Sequence, residues 1–186
     1  MRFWAQDLLH FWFETLGPAD WFGSGEAVDA ELHRRYGKWL AYGKWLAALS
    51  VCGPDAFLRD PPTARAAILL FDQVPRNLFR GEARAFALDP LARAICHGML
   101  ARGWDAALSL NEKQFVLMPL MHSEAIADQR ESLRRFVALG DSFILGFARD
   151  HYRMIARFGR FPHRNAALGR TSTAAERQAI EAGNAW

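Results

Sequence analysis

Apolar residues recur every three to four positions along almost the whole chain, and no stretch alternates with the period of two that marks a strand. The spacing predicts an all-α protein. Phe3, Trp4, Phe11, Trp12 and Phe13 give the helix from Arg2 to Leu16 an aromatic core, and Gly17-Pro18 stops it. A second helix is expected from near Ala27 through Leu32 and Tyr36. Asp60 is placed to cap the next one, with Pro61 at its first position, where no donor is lost. That helix carries Ile68, Leu69, Leu70 and Phe71 and is expected to end before Pro75. Another follows Asp89-Pro90 and stops at Gly103. Asn111 to Gln114 resembles a capping box opening a helix that Pro119 interrupts, and His122, Ile126, Gln129, Leu133 and Phe136 recur beyond it. Asp141 or Ser142 begins a helix with Phe143, Phe147, His151, Met154 and Phe158 on one stripe, and Arg149, Arg153, Arg157 and Arg160 on another face. Thr173 and Glu176 form a capping box for a short last helix. The pattern therefore predicts about eight helices in antiparallel hairpins. No internal linker is long enough to split them, so residues 1–186 are expected to form a single domain.

One stretch departs from this regularity. Tyr36-Gly-Lys-Trp-Leu-Ala41 is repeated at once as Tyr42-Gly-Lys-Trp-Leu-Ala47. Six residues turn an α-helix by about 600°, so Trp39 and Trp45 would lie about 120° apart and could not face one partner together. The repeat reads as a local duplication absorbed by the helix.

Composition narrows the class. Of 186 residues 51% are hydrophobic and 13% aromatic, and the formal charge is +3, which excludes intrinsic disorder and gives enough apolar surface for a core. Cys52 and Cys96 have no metal-ligand spacing and read as reduced thiols. The N-terminus meets charge before any apolar leader core develops, and no apolar run approaches the roughly 20 residues that cross a bilayer. A cytoplasmic protein without membrane contact is expected. The basic residues are 20 Arg against 3 Lys. That bias matters more than net charge, because guanidinium pairs bidentately with carboxylate or phosphate. A charge of +3 over the whole chain is a weak footprint for nucleic acid, and no helix-turn-helix signature accompanies the arginine stripe.

Two segments stand out against this background: Phe71 to Gly81 and Ala156 to Arg170. Both place Arg-Asn after a proline, as Arg76-Asn77 after Pro75 and Arg164-Asn165 after Pro162. The first reading is structural, two helix–helix corners fastened by Arg–carboxylate pairs. The second is functional. The corners would converge, with Arg76, Arg80, Arg160, Arg164 and Arg170 lining an anion pocket and Asp72, Asn77, His163 and Asn165 orienting the ligand. A third constellation is Pro119-Leu-Met-His122-Ser-Glu124, continuing to Asp128-Gln129. His122 and Glu124 are two apart and share no helix face, and neither ExxH nor HExxH occurs, so no metal or other cofactor is expected. His151, on a stripe of Phe and Met, reads as a core histidine. Ser123, Ser172 and Cys96 have no base placed by sequence, and no phosphate-binding glycine motif is present.

Phe11-Trp-Phe13, Asp20-Trp-Phe22, Asp72 to Gly81, Pro119 to Glu124 with Asp128-Gln129, and Arg157 to Asn165 through Leu168 to Ser172 together resemble the bacterial DUF924 family. The resemblance runs in order from about residue 9 to 176. That family is similar to tetratricopeptide-like helical folds, which implies a right-handed array of stacked antiparallel helix pairs. The resemblance carries no activity, cofactor or catalytic residue with it. The duplicated hexapeptide departs from its pattern.

Three functions compete. The leading one is a non-enzymatic module holding an anionic small molecule or acidic peptide in an Arg/Asn/His-lined groove. The rival is an enzyme acting on a phosphorylated or carboxylated substrate, with His163 or His122 as general acid/base and Asp72 or Glu124 orienting it. The third is a self-associating scaffold in which the Arg-Asn corners are purely structural.

Overall fold

The computed structural model describes residues 3–22, 26–37 and 51–183, and among these no residue lies in a strand. The all-α class expected from the spacing holds. Apart from Tyr36 and Gly37, the duplicated hexapeptide falls outside the described residues. The chain divides into two compact units. One runs to Arg80 and includes Arg84–Val116; the other comprises Gly81–Ala83 and the chain from Leu117 onward.

The first unit begins with α1 (Phe3–His10), which widens into a π-helical turn at Phe11–Thr15. Then come α2 (Pro18–Phe22) and α3 (Glu26–Leu32), the latter also ending in a π turn, His33–Gly37. Asp60 caps α4 (Pro61–Ile68) as its spacing predicts, its carboxylate accepting the Thr63 N–H at 2.9 Å. Ala64, Ala66 and Ala67 are fully buried, and these short side chains let α4 pack against both α1 and α6 (Asp89–Ala101). Where α6 meets the turn at residues 54–58, Gly98 leaves room for Leu58: a Cβ there would stand 2.2 Å from Leu58 Cδ1, and that side chain would have to shift. Leu8, Leu32, Tyr36, Phe57, Ile68, Leu70, Phe71 and Ile95 fill the interior. Trp12, Phe13 and Trp21 surround Phe115 edge-on, with ring centres 5.2–5.8 Å away.

Pro75 does not end the helix. After α4 the chain forms a third π turn, Leu69–Gln73, and passes directly into α5 (Val74–Leu78). A π turn pairs groups five residues apart, here the Val74 N–H with the Leu69 carbonyl, so Pro75 falls in a first turn where its missing donor costs nothing. Arg76-Asn77 is consequently helical, not part of a turn. A similar correction applies to α7 (Leu110–Met121), which runs through Pro119 and stops two residues later. Proline forfeits one bond there, while the His122 N–H closes the end on the Met118 carbonyl at 2.8 Å. The box opening α7 is Ser109 with Glu112, not Asn111 with Gln114: the Glu112 carboxylate accepts from the Ser109 N–H at 2.9 Å. Arg65 on α4 also reaches Glu112.

The second unit takes up the last turn of α7 and continues with α8 (Ile126–Leu139) and α9 (Ser142–Phe158). These two form an antiparallel hairpin. Gly140, at φ 77°, ends α8 in the left-handed region that favours glycine, and Asp141 caps α9 by accepting from the Phe143 and Ile144 N–H groups. Gly159 ends α9 in the same way. A tight 3-10 turn, Pro162–Arg164, leads to α10 (Ala174–Glu181), where Thr173 and Glu176 form the expected capping box. Met154, Ile155, Phe161 and Ala179 form one buried cluster of this unit, with Phe158 against them.

Candidate functional site

Asp72, Arg76, Asn77 and Arg80 belong to the first unit. Asp72 sits in the third π turn, wholly buried, and Arg76 Nη1 lies 3.2 Å from its Oδ1. The other Arg76 arm donates to Asp89 Oδ2 at 2.9 Å. Burial works against the Arg76 charge, but Asp72 and Asp89 outweigh it and keep the guanidinium charged. Arg80 grips both Asp29 oxygens at 3.0 and 3.1 Å and also donates to Asn77 Oδ1 at 3.0 Å. Asn77 returns its amide N–H to the Gln73 carbonyl. Three aspartates thus enclose two arginines. For this set the geometry is that of a fastener.

His122, Glu124, Arg160, His163, Arg164, Asn165 and Arg170 belong to the second unit. The turn from α7 into α8 is built by buried Gln129, whose amide donates to the Met121 and Ser123 carbonyls at 2.6 and 2.7 Å. The Ser123 hydroxyl donates to Asp128 at 2.7 Å and accepts the Ala125 N–H. The backbone leaves the helix after Met121, so the helical objection to His122 and Glu124 sharing a site does not apply.

Glu124 receives both Arg170 arms, at 2.9 and 3.0 Å, and the Phe161 N–H at 2.8 Å. Burial pushes its carboxyl up, but these donors and the charges of Arg170 and Arg164 prevail and hold it below the usual carboxylate range. Phe161, fully buried, is the hub. The Arg164 guanidinium lies over its ring at 4.5 Å, and the rings of His151 and His163 stand 5.4 and 5.6 Å from it. His122 lies 5.9 Å from His151. Of the six histidines in the chain, three gather here.

His151 is the buried member. Its Nδ1 lies 2.8 Å from the Phe147 carbonyl, an acceptor only, so Nδ1 carries the hydrogen and Nε2 the lone pair. Burial, then the charges of His122, Arg164 and His163, take its pKa down to about 3. At neutral pH it is an uncharged ring.

Arg160 is paired beside the cluster. It donates to both Glu176 oxygens at 2.6 and 3.0 Å and to the Thr171 carbonyl. Those bonds, with the Thr173 N–H, bring Glu176 down to about 2. Asn165 donates to Ser172 Oγ at 3.0 Å, while its own Oδ1, like Arg170 Nε, is buried with no hydrogen-bond partner among the described residues. Among those residues no group of three or more His, Cys, Asp or Glu is placed to hold a metal ion. The sequence reading missed Phe161 as the hub, and it placed His151 in the core without bringing it to His122. The one available signal was that His151 lies a turn from Phe147 and from Met154 on a buried stripe.

Residues 8–184 match the family DUF924, bacterial protein of unknown function, and the chain belongs to that family. It is also similar to a solved structure, that of a protein of unknown function from Agrobacterium tumefaciens. The two are 37% identical and superpose with a TM-score of 0.85, over 96% of this chain and 97% of the other. No curated protein matches the chain. No helix among the described residues is long and apolar enough to cross a membrane.

Proposed function

We propose that this chain is a cytoplasmic, non-enzymatic binding module that holds an oxyanion, the carboxylate or phosphate of a small molecule or acidic peptide, on the cluster around Phe161. One observation carries the reading. Two guanidiniums, Arg164 and Arg170, and three imidazoles gather with the Glu124 carboxylate at the Phe161 cluster. Guanidinium and imidazole N–H groups are donors suited to a planar oxyanion. Binding is preferred over acid–base catalysis because the Glu124 oxygens are taken by Arg170 and the Phe161 N–H, and among the described residues no imidazole bonds to Glu124 as an orienting carboxylate would require. A tetratricopeptide-like stacking of the hairpins belongs to this reading, since stacked helix pairs present concave surfaces to extended ligands.

Thermal unfolding against phosphate, sulfate, di- and tricarboxylates, nucleotides and acidic peptides tests it. A ligand of the site raises Tm by mass action, about 2.7 kcal/mol of stabilisation at a hundredfold excess over Kd. Arg164→Ala abolishes that rise while the unliganded variant keeps its helical circular dichroism. If no oxyanion moves the wild-type Tm, or if Arg164→Ala unfolds the protein outright, the corner is a fastener and the reading fails.

A further inference from the structure

We propose that the site at the Phe161 cluster selects oxyanions that carry their own O–H, hydrogen phosphate or a 2-hydroxycarboxylate, over those that carry none, and that Asn165 makes the choice. This rests on the binding reading above and names its ligand class. Asn165 is 1% exposed. Its amide N–H donates to Ser172 Oγ at 3.0 Å, which points Oδ1 away from that hydroxyl, and Oδ1 is buried with no hydrogen-bond partner among the described residues. A carbonyl oxygen only accepts, so whatever fills this position must bring a donor. An unmet buried acceptor is a standing cost to the fold, and a ligand that meets it recovers that cost on binding.

The same loop holds a complementary group. Arg170 engages the two Glu124 oxygens and the Phe161 carbonyl through its terminal nitrogens, and its Nε–H is buried with no acceptor among the described residues. The Arg170 backbone N–H closes on the Asn165 carbonyl at 2.8 Å, and Gly169, at φ 64°, takes the left-handed turn that allows it. The two side chains therefore leave neighbouring points of one closed loop. An acceptor and a donor so placed match an O–H beside a charged oxygen, the pair that hydrogen phosphate and a 2-hydroxycarboxylate present. Sulfate offers acceptors alone and would set an oxygen against Asn165 Oδ1. The demand is made by hydrogen bonds and not by net charge, since Arg170 is matched by Glu124. The Arg170 side chain is 24% exposed and Ser172 is half-buried, so the loop meets solvent on that side.

Phosphate and sulfate isolate the O–H, because at pH 8 both are tetrahedral dianions and only phosphate keeps a proton. Isothermal titration calorimetry gives Kd for that pair, for arsenate and selenate as a second such pair, and for lactate and propionate as the carboxylate pair. The expected result is that the O–H member binds at least about tenfold more tightly, the effect of leaving one buried acceptor unmet. A ratio of that size in the tetrahedral pairs assigns the site to phosphate, and in the carboxylate pair alone to hydroxy acids. Asn165→Leu removes the acceptor and brings the ratio to near one. Ser172→Ala takes away the group that orients the amide, and it narrows the ratio even if Asn165→Leu does not fold. Arg153→Gln, on an exposed ion pair of α9, leaves the ratio unchanged. A ratio that survives Asn165→Leu overturns the assignment to Asn165. Ratios near one in all three pairs, or tighter binding of sulfate than of phosphate, mean that no acceptor faces the ligand; they overturn the selection and leave the binding reading standing. No binding of any of the six, by protein that is folded, removes the site and the selection together.

Discussion

The two Arg-Asn pairs began as one motif written twice, each just after a proline, yet they are solved differently. In the first unit Arg76 and Arg80 are met by Asp72, Asp89 and Asp29, three carboxylates for two guanidiniums. In the second unit Arg160 pairs with Glu176 and Arg170 with Glu124, while Arg164 lies over the Phe161 ring beside three imidazoles. An identical dipeptide therefore says little about surroundings; the groups folded against it say most. Carboxylates close on the first pair, and aromatic and imidazole rings gather at the second.

The largest expected effect breaks the first arrangement. Asp72→Ala leaves the half-buried Arg76 without its fully buried partner and removes an acceptor from the third π turn. Breaking one side of a buried pair typically costs about 3–5 kcal/mol. Urea denaturation should show a loss of that size, and Asp72→Asn should recover only part of it. A loss below about 1 kcal/mol, the size typical of an exposed pair, would mean the carboxylate is dispensable and the contrast between the units is overdrawn.

Acid should act on the second unit early. His151 is neutral in the folded protein, with a pKa near 3, and an unfolded histidine takes up its proton near 6.5. Its contribution to stability is thus complete above pH 6.5 and is lost as pH falls toward about 3. Carboxylates such as Glu124 and Glu176, whose folded values are lowered, hold their contribution down to about pH 4.5 and lose it below. Between pH 6.5 and 4.5 the decline belongs to the histidine. His151→Phe, which keeps a ring on the stripe of Phe147 and Met154, should make Tm nearly flat across that window. A wild-type Tm that is itself flat there would show that His151 titrates normally.

Much of the fold was legible before any coordinates. The caps at Asp60, Asp141 and Thr173 and the break at Gly103 are local chemistry, readable within four residues of each position. Pro75 and Pro119 misled for a related reason: a proline forbids one bond, but a π turn or a strong helix on either side can route around it, and single-sequence spacing does not show which occurs. The site was legible only as a residue list. Arg170 meets Glu124 across 46 positions, Arg80 meets Asp29 across 51, and His151 meets His122 from a different helix. Such pairings depend on tertiary packing, so the sequence could nominate both fastener and pocket and had no means of choosing between them.

A smaller effect sharpens the charge comparison directly. Glu124→Gln keeps the shape of the side chain and an acceptor for the Phe161 N–H, but it removes the carboxylate that Arg170 and Arg164 share. Glu124 is partly exposed, so the loss of stability should be about 1–2 kcal/mol, toward the low end for hydrogen bonds to a charged group. If the Arg164 and Arg170 guanidiniums are what holds an oxyanion, sulfate should bind this variant more tightly than wild type despite its lower Tm. Weaker sulfate binding would instead mean that Glu124 is needed to hold Arg170 and Arg164 in a binding geometry.

The smallest expected effect separates two roles of one carboxylate. Glu176 both accepts the Thr173 N–H as half of a capping box and receives Arg160 through two bonds. Thr173→Ala deletes the hydroxyl that accepts the Glu176 N–H and leaves the Arg160 pair intact. Losing such a cap typically costs about 1 kcal/mol. If that is all that happens, the 160–170 segment keeps its path and oxyanion affinity at the Phe161 cluster is unchanged, because Arg160 still ties α10 to the end of α9. If affinity falls with the cap, the last helix positions the cluster through the Thr173–Glu176 turn, and the Arg160 pair alone does not hold the second corner.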